Sequence, residues 1–467
     1  MSVLRIPLKG LPSNFDPHNM SDTYSMIANL QLHRSLLRFS SSSDATFDIA
    51  KDFKTSKNGT EILFLLDEKR KFSDGTSITA DDVVKSFQRI FKDKTTIAAD
   101  LSYIVGAEEN DLSVLQIKAH STNSVLFKLR HPCSLFFKQI ATVDASILKL
   151  DENLNLIPNV FSGPYQLQSF NECEVVLQRV QAVALSNAPQ KIVFLKNEDV
   201  GHSFDSISRN VDRVDESFLD SQLLEEFKQA GWKDKGTGSA NIFGLSMNPS
   251  RIPFLHRSII FEYFYGKLVN LSEHNLLSAY GVVPPVVEGA LQKPLYFPAE
   301  TSKNNVPGTY KILCTKDSLY SQVLAPVCKK LLDEQQINLI LEEKEIRDLI
   351  QLSQNEDFDI RLVPKVIDYP DAYGMLSYFR SGFEANRFFV NNRKIDGLLD
   401  DLLKASDTER HVLISAEIQK IILEEKVFIP LFARGKNAAF WSPRIKVIPD
   451  HQMGLFSLPF EMIELES

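Results

Sequence analysis

Hydrophobic and polar positions follow two periods along this chain. Val3–Leu8 alternates as a strand does, and Glu61–Leu66 is an apolar run of strand length, read as a buried strand. Thr23–Phe39 places Met26, Ile27, Leu30, Leu36 and Leu37 along one side at helical spacing. Leu11–Asp22, rich in Pro, Asn and Asp, reads as a loop. The segment Lys71–Phe91 carries the densest local signals. Asp74-Gly75 is a turn dipeptide, and Thr79 reads as an N-cap with Asp82 in the capping-box position. Val83, Val84, Phe87, Ile90 and Phe91 then form one apolar helix face.

From Gly163 the pattern changes. Gly163-Pro164-Tyr165 opens a strand pair, Tyr165–Phe170 and Glu174–Val180, with a turn at Asn171-Glu172. Lys191–Leu195 is a further strand, and Leu219–Ala230 a helix ending at Gly231. Beyond Asn248, Phe261–Leu271 reads as a helix. Strands at Thr309–Cys314, Ile337–Glu342 and Phe358–Val363 alternate with helices at Leu319–Gln335 and Ile346–Leu352, which predicts βαβ units. Two amphipathic helices follow, Ile395–Lys404 and one capped by Asp407, then a closing strand at Val427–Phe432.

At 467 residues the chain is long enough for more than one domain. A net charge of −8, with no basic run, argues against a nucleic-acid partner. No apolar stretch is long enough to cross a membrane, and MSVLRIPLKGLPSNF lacks the apolar centre of a signal peptide. That start fits either a mature secreted domain or a cytoplasmic protein. Cys133, Cys173, Cys314 and Cys328 form no C-x-x-C pair and read as thiols buried to varying degrees; sequence assigns no disulfide. The nine histidines are scattered without ligand spacing, so no metal site and no cofactor are expected. Neither a G-x-S-x-G nor a P-loop nor a dinucleotide fingerprint is present, so catalysis is not expected.

The wording of several segments is more specific than their physics. KFSDGTSITADDVVKSF resembles a block of the family 5 extracytoplasmic solute-binding proteins, the peptide- and nickel-binding components of bacterial ABC importers. Phe15-Asp16-Pro17-His18, Ile49–Gly59, Ser162–Tyr165, Met247–Leu255, Phe358–Pro370 and Asn386–Phe432 resemble further blocks of that family in the same order. The resemblance implies an α/β, periplasmic-binding-protein-like fold (type II, cluster C), a two-lobed clamp with an extra inserted domain. It places a discontinuous lobe I at 1–40, 160–247 and 434–467, the inserted domain at 41–159, and lobe II at 248–433.

The resemblance also implies a function. The chain would capture short peptides between two lobes and deliver them to a membrane permease, as a monomer and with no cofactor. Its location would be periplasmic, or at the cell surface as a lipoprotein. A cytoplasmic or regulatory sensor built on the same domain is the alternative, as is a binder of a sugar or metal chelate.

In peptide-binding members, the Asp of an "A-D-Y" phrase pairs with the ligand's α-ammonium; here the phrase is Ile367-Asp368-Tyr369. A carboxylate in a water-poor site makes a strong charge-assisted bond to an ammonium. The bland alternative is a loop Asp capping a helix near Ala372. Lys365 stands where relatives carry Trp, and Leu362 where some carry an Arg for the ligand carboxylate. Arg361 is adjacent, but on a strand it faces the other way. The resemblance adds Asp22 and Thr23, which follow the "D-P-H" phrase, and Phe243 and Leu245 on a strand expected to line the site.

Overall fold

The computed structural model describes residues 2–20, 22–39, 44–109, 111–180, 187–215, 219, 221–235, 240–269, 271–274, 276–298, 307–315, 318–344, 348–349, 352, 357–367, 369–382, 388–405, 407–434, 439–449, 455 and 457–466. The chain divides into two compact units, Met1–Gly238 with Asn437–Ser467, and Ser239–Lys436.

In the first unit, β1 (Val3–Leu8) is followed by α1 (Thr23–Leu32), β2 (Ala50–Thr55), β3 (Glu61–Leu66), α2 (Ala80–Lys92), β4 (Ile117–Ser121) and β5 (Ser124–Lys128). Then come β6 (Tyr165–Phe170), β7 (Glu174–Arg179) and β8 (Lys191–Lys196). One sheet has the order β1-β8-β7-β6, with β1 parallel to β8. The segment 41–159 carries its own sheet, β2-β3-β5-β4, and belongs to this unit. The core around β1 also takes in Trp441, Phe460 and Leu465 from the C-terminal tail. Arg34, buried at the end of α1, faces Asp48 at 3.1 Å and also pairs with Glu461, which fastens that tail.

Local rules account for most of these elements. α2 begins with the expected capping box: Thr79 caps it, and Asp82 returns a bond to the Thr79 amide at 2.9 Å. Its Val83, Phe87 and Ile90 are fully buried. Glu61–Leu66 differs from the expected buried strand. It alternates, with Ile62, Phe64 and Leu66 inside and the residues between them half-buried. The expected helix Thr23–Phe39 stops at Leu32, and Leu37–Phe39 is a strand. His33 turns extended because its ring reaches the Phe15 carbonyl at 3.2 Å. Gly163 meanwhile packs its backbone onto the helix end and donates to the Leu32 carbonyl at 2.8 Å.

In the second unit, β9 (Asn241–Met247) is followed by α3 (Phe254–Phe264), β10 (Leu276–Ser278), β11 (Gly308–Thr315), α4 (Ser318–Gln335), β12 (Ile337–Lys344) and β13 (Ile360–Val366). Next are α5 (Ala372–Leu376), α6 (Arg393–Lys404), α7 (Thr408–Glu424) and β14 (Phe428–Arg434). The sheet order is β10-β14-β9-β13-β11-β12. β11, α4 and β12 form the expected βαβ unit, with β11 parallel to β12. Residues expected to form a helix at Phe261–Leu271 instead supply only the end of α3, which starts directly after Pro253. The expected helix Ile346–Leu352 lies largely outside the described residues.

The expected boundary after residue 247 moves to 238. Sequence placed Asn241–Met247 with lobe I, but β9 is hydrogen-bonded on both edges inside the second unit's sheet.

Three of the cysteines, Cys133, Cys314 and Cys328, are buried, and Cys173 is exposed. Burial pushes the Cys328 thiol up to about 12, so it behaves as an apolar packing group.

Candidate functional site

The sequence-predicted residues fall into both units. In the first, Asp22 is the N-cap of α1, accepting from Tyr24 N at 3.0 Å and Ser25 N at 2.8 Å. Its side chain is thus occupied by the helix end, while Thr23 beside it is exposed. The loop that presents them is held from the far side. Arg89 of α2 grips Asp16 with both guanidinium nitrogens, at 2.8 and 2.5 Å. Burial alone would raise the Asp16 carboxyl, but the Arg89 hydrogen bonds and charge bring it down to about 2. The fully buried His18 ring bonds the Ser146 carbonyl at 2.9 Å, and burial pushes its pKa down to about 4.

In the second unit the candidates lie on and beside the neighbouring strands β14, β9 and β13. Strand alternation sends Phe243, Leu245 and Met247 to one face. Leu245 is fully buried in the unit's core, so its side chain is a packing group. Phe243 lies nearer the strand's start and stacks on Phe432 with centroids 5.1 Å apart. The Arg434 guanidinium sits over the Phe243 ring, 5.9 Å from its centroid, and Arg434 N donates to Asn241 Oδ1 at 3.0 Å.

β13 shows the expected alternation. Leu362 points into the core, whereas Arg361 lies over the Phe358 and Phe388 rings at 5.2 and 6.0 Å. Lys365, on the same face as Arg361, places its ammonium 3.3 Å from the Tyr378 ring centroid. Tyr369 is buried, with its ring against Gly374. Asp368 lies outside the described residues. The capping role that sequence left open for it is filled by Asp371, which accepts from Tyr373 N at 3.0 Å at the start of α5. Asp371 also lies 3.1 Å from His411 Nε2 of α7.

Sequence reading missed Arg434, Asn241 and Tyr378. The only available signal was a cation ending the apolar run Phe428–Ala433, which also fits an ordinary strand terminus. Among the described residues, no group of three or more His, Cys, Asp or Glu side chains is arranged to hold a metal. No helix among them is long and apolar enough to cross a membrane.

Comparison with known proteins places these features in a family context. Residues 45–259 match the family model of bacterial extracellular solute-binding proteins, family 5, middle region. The chain is 23% identical to the probable D,D-dipeptide-binding periplasmic protein DdpA of Escherichia coli K12, over 92% of this chain and 88% of that one. It is 20% identical to the periplasmic oligopeptide-binding protein OppA of Salmonella typhimurium LT2, over 82% and 77% of the two chains. The murein tripeptide binding protein MppA of Escherichia coli superposes with a TM-score of 0.84 at 17% identity, covering 100% of this chain and 99% of that one. The fold is therefore the α/β fold of the periplasmic peptide-binding proteins.

Proposed function

We propose that this chain, whose residues 45–259 match the family model of bacterial extracellular solute-binding proteins, family 5, middle region, captures short peptides and hands them to the permease of an ABC importer. The observation that carries this reading is the likeness over 92% of the chain to a protein named for dipeptide binding. The family binds solutes rather than transforming them, so we assign no catalytic step. The protein works as a monomer outside the cytoplasm, in the periplasm or held to the cell surface by a lipid anchor.

Asp368 is the partner of the ligand's ammonium, and Lys365, Tyr369 and Phe243 of the second unit are further candidate ligand contacts. Asp22 and Thr23 present backbone groups at the start of α1. Extended peptides are held largely through such main-chain bonds, which leaves side-chain selectivity tolerant.

The anchor is testable by calorimetric titration of the intact protein and of Asp368→Asn with a mixture of short peptides bearing free amines, and with its N-acetylated counterpart. The substitution is expected to weaken free-amine binding by about tenfold or more, the scale of one lost charge-assisted bond, and to leave acetylated binding unchanged. Equal effects on both mixtures reject the role.

A further inference from the structure

We propose that the first turn of α3 and the side chain of Arg257 form a binding site for a tetrahedral oxyanion, phosphate or sulfate, separate from the peptide candidates. Pro253 precedes the helix and makes no side-chain cap, and the first turn carries no acidic residue. Arg257 N donates to the Pro253 carbonyl at 3.0 Å, but the amides of Phe254 and Leu255 have no acceptor within the helix. Uncapped amides and the positive end of the helix dipole both favour an anion there.

Arg257 makes this end more than an ordinary helix start. It is only 8% exposed, and its Nε is sealed from solvent without a hydrogen bond. Its guanidinium lies over the Phe254 ring, 5.6 Å from the centroid. Phe254 is three residues earlier, so the side chain runs back toward the uncapped turn. Among the described residues no carboxylate forms an ion pair with Arg257. Asp357 and Asp359 face Arg251 instead. Glu425 attracts Arg257 only from a distance and accepts from Asn392 at 3.1 Å. The Lys426 ammonium rests on the Phe261 ring, one turn further along α3, and adds positive charge. The buried arginines of the first unit are closed differently: Arg34 by Asp48 and Glu461, Arg89 by Asp16, and Arg213 by Asp215.

A buried guanidinium beside a positive helix end, with no counter-charge, is costly. An oxyanion removes that cost. The planar fork of Arg257 takes two of its oxygens, and the free amides take a third. A carboxylate has only two oxygens and cannot serve both sets of donors in this way. The site also stands apart from the peptide candidates. Lys365 pairs in register with Ile242, next to Phe243, near the start of β9. α3 follows the other end of that strand, and Phe243 to Met247 alone spans about 13 Å. The anion site therefore does not depend on the peptide-binding reading.

The test is calorimetric titration of the intact chain, freed of phosphate and sulfate, with inorganic phosphate and with sulfate. Chloride at matched ionic strength is the control. Saturable uptake of phosphate and sulfate at one site is expected, and none of chloride. Arg257→Met should weaken phosphate binding by about tenfold or more. Pro253→Asp supplies the missing cap and a carboxylate four residues before Arg257. It should abolish phosphate binding and raise the thermal midpoint measured without phosphate. This second variant keeps the test decisive if Arg257→Met does not fold. Absence of saturable uptake by the intact protein, an equal response to chloride, or phosphate binding unchanged in either variant overturns the site.

Discussion

Two buried histidines should make the first unit sensitive to acid. His18 and His33 are both fully buried, and burial pushes each down to about 4 from an ordinary 6.5. The unfolded chain therefore takes up protons that the folded one refuses between about pH 6.5 and 4. Stability is complete above that window and is lost as pH falls through it, by up to about 3 kcal/mol per ring. Asp16, held at about 2, acts in a separate window below its ordinary 3.8. The buried Asp48 carboxyl, raised by desolvation, works in the opposite sense to the histidines. Urea unfolding between pH 4 and 7 should show the loss, and His18→Gln combined with His33→Gln should flatten the profile. A double variant with an unchanged slope contradicts the assignment. Sequence could mark His18 as a turn residue beside Pro17 and no more. Its burial comes from Ser146, which lies 128 residues away.

At the level of single elements, the features set by neighbours in sequence were legible, and those set by distant contacts were not. The capping box of α2 depends on residues three apart and was read correctly; so was Asp407 as the cap of α7. Thr79→Ala should cost about 1 kcal/mol in thermal or chemical unfolding, with the native fold kept. The early end of α1 depends on Phe15 and on Gly163, and neither lies within a helical turn of it. A Cβ at Gly163 would lie 2.6 Å from the backbone of Leu32. Gly163→Ala should therefore destabilise the protein by about 2 kcal/mol or more, because backbone rather than a flexible side chain must yield. A neutral Gly163→Ala would show that this contact relaxes freely. Asn241–Met247 illustrates the same limit. Seven consecutive buried residues identify a strand, but nothing in them says which sheet it joins.

For the molecule as a whole, ordered blocks of resemblance pointed to the correct fold, although identity to the named relatives is only 17–23%. The ligand site was less legible. The candidate Asp368 stands out through its phrase, whereas the packing of Arg434 against Phe243 becomes visible only when β9 pairs with β14. Lys365, which stands where relatives carry Trp, faces an aromatic ring. The central claim is that this protein carries short peptides. The most direct measurement is native mass spectrometry of protein purified from its host without refolding. The account predicts bound masses in the range of short peptides, released on denaturation and confirmed as peptides by fragmentation. A bound sugar or metal chelate, or protein that carries no ligand and takes up no added peptide, contradicts it.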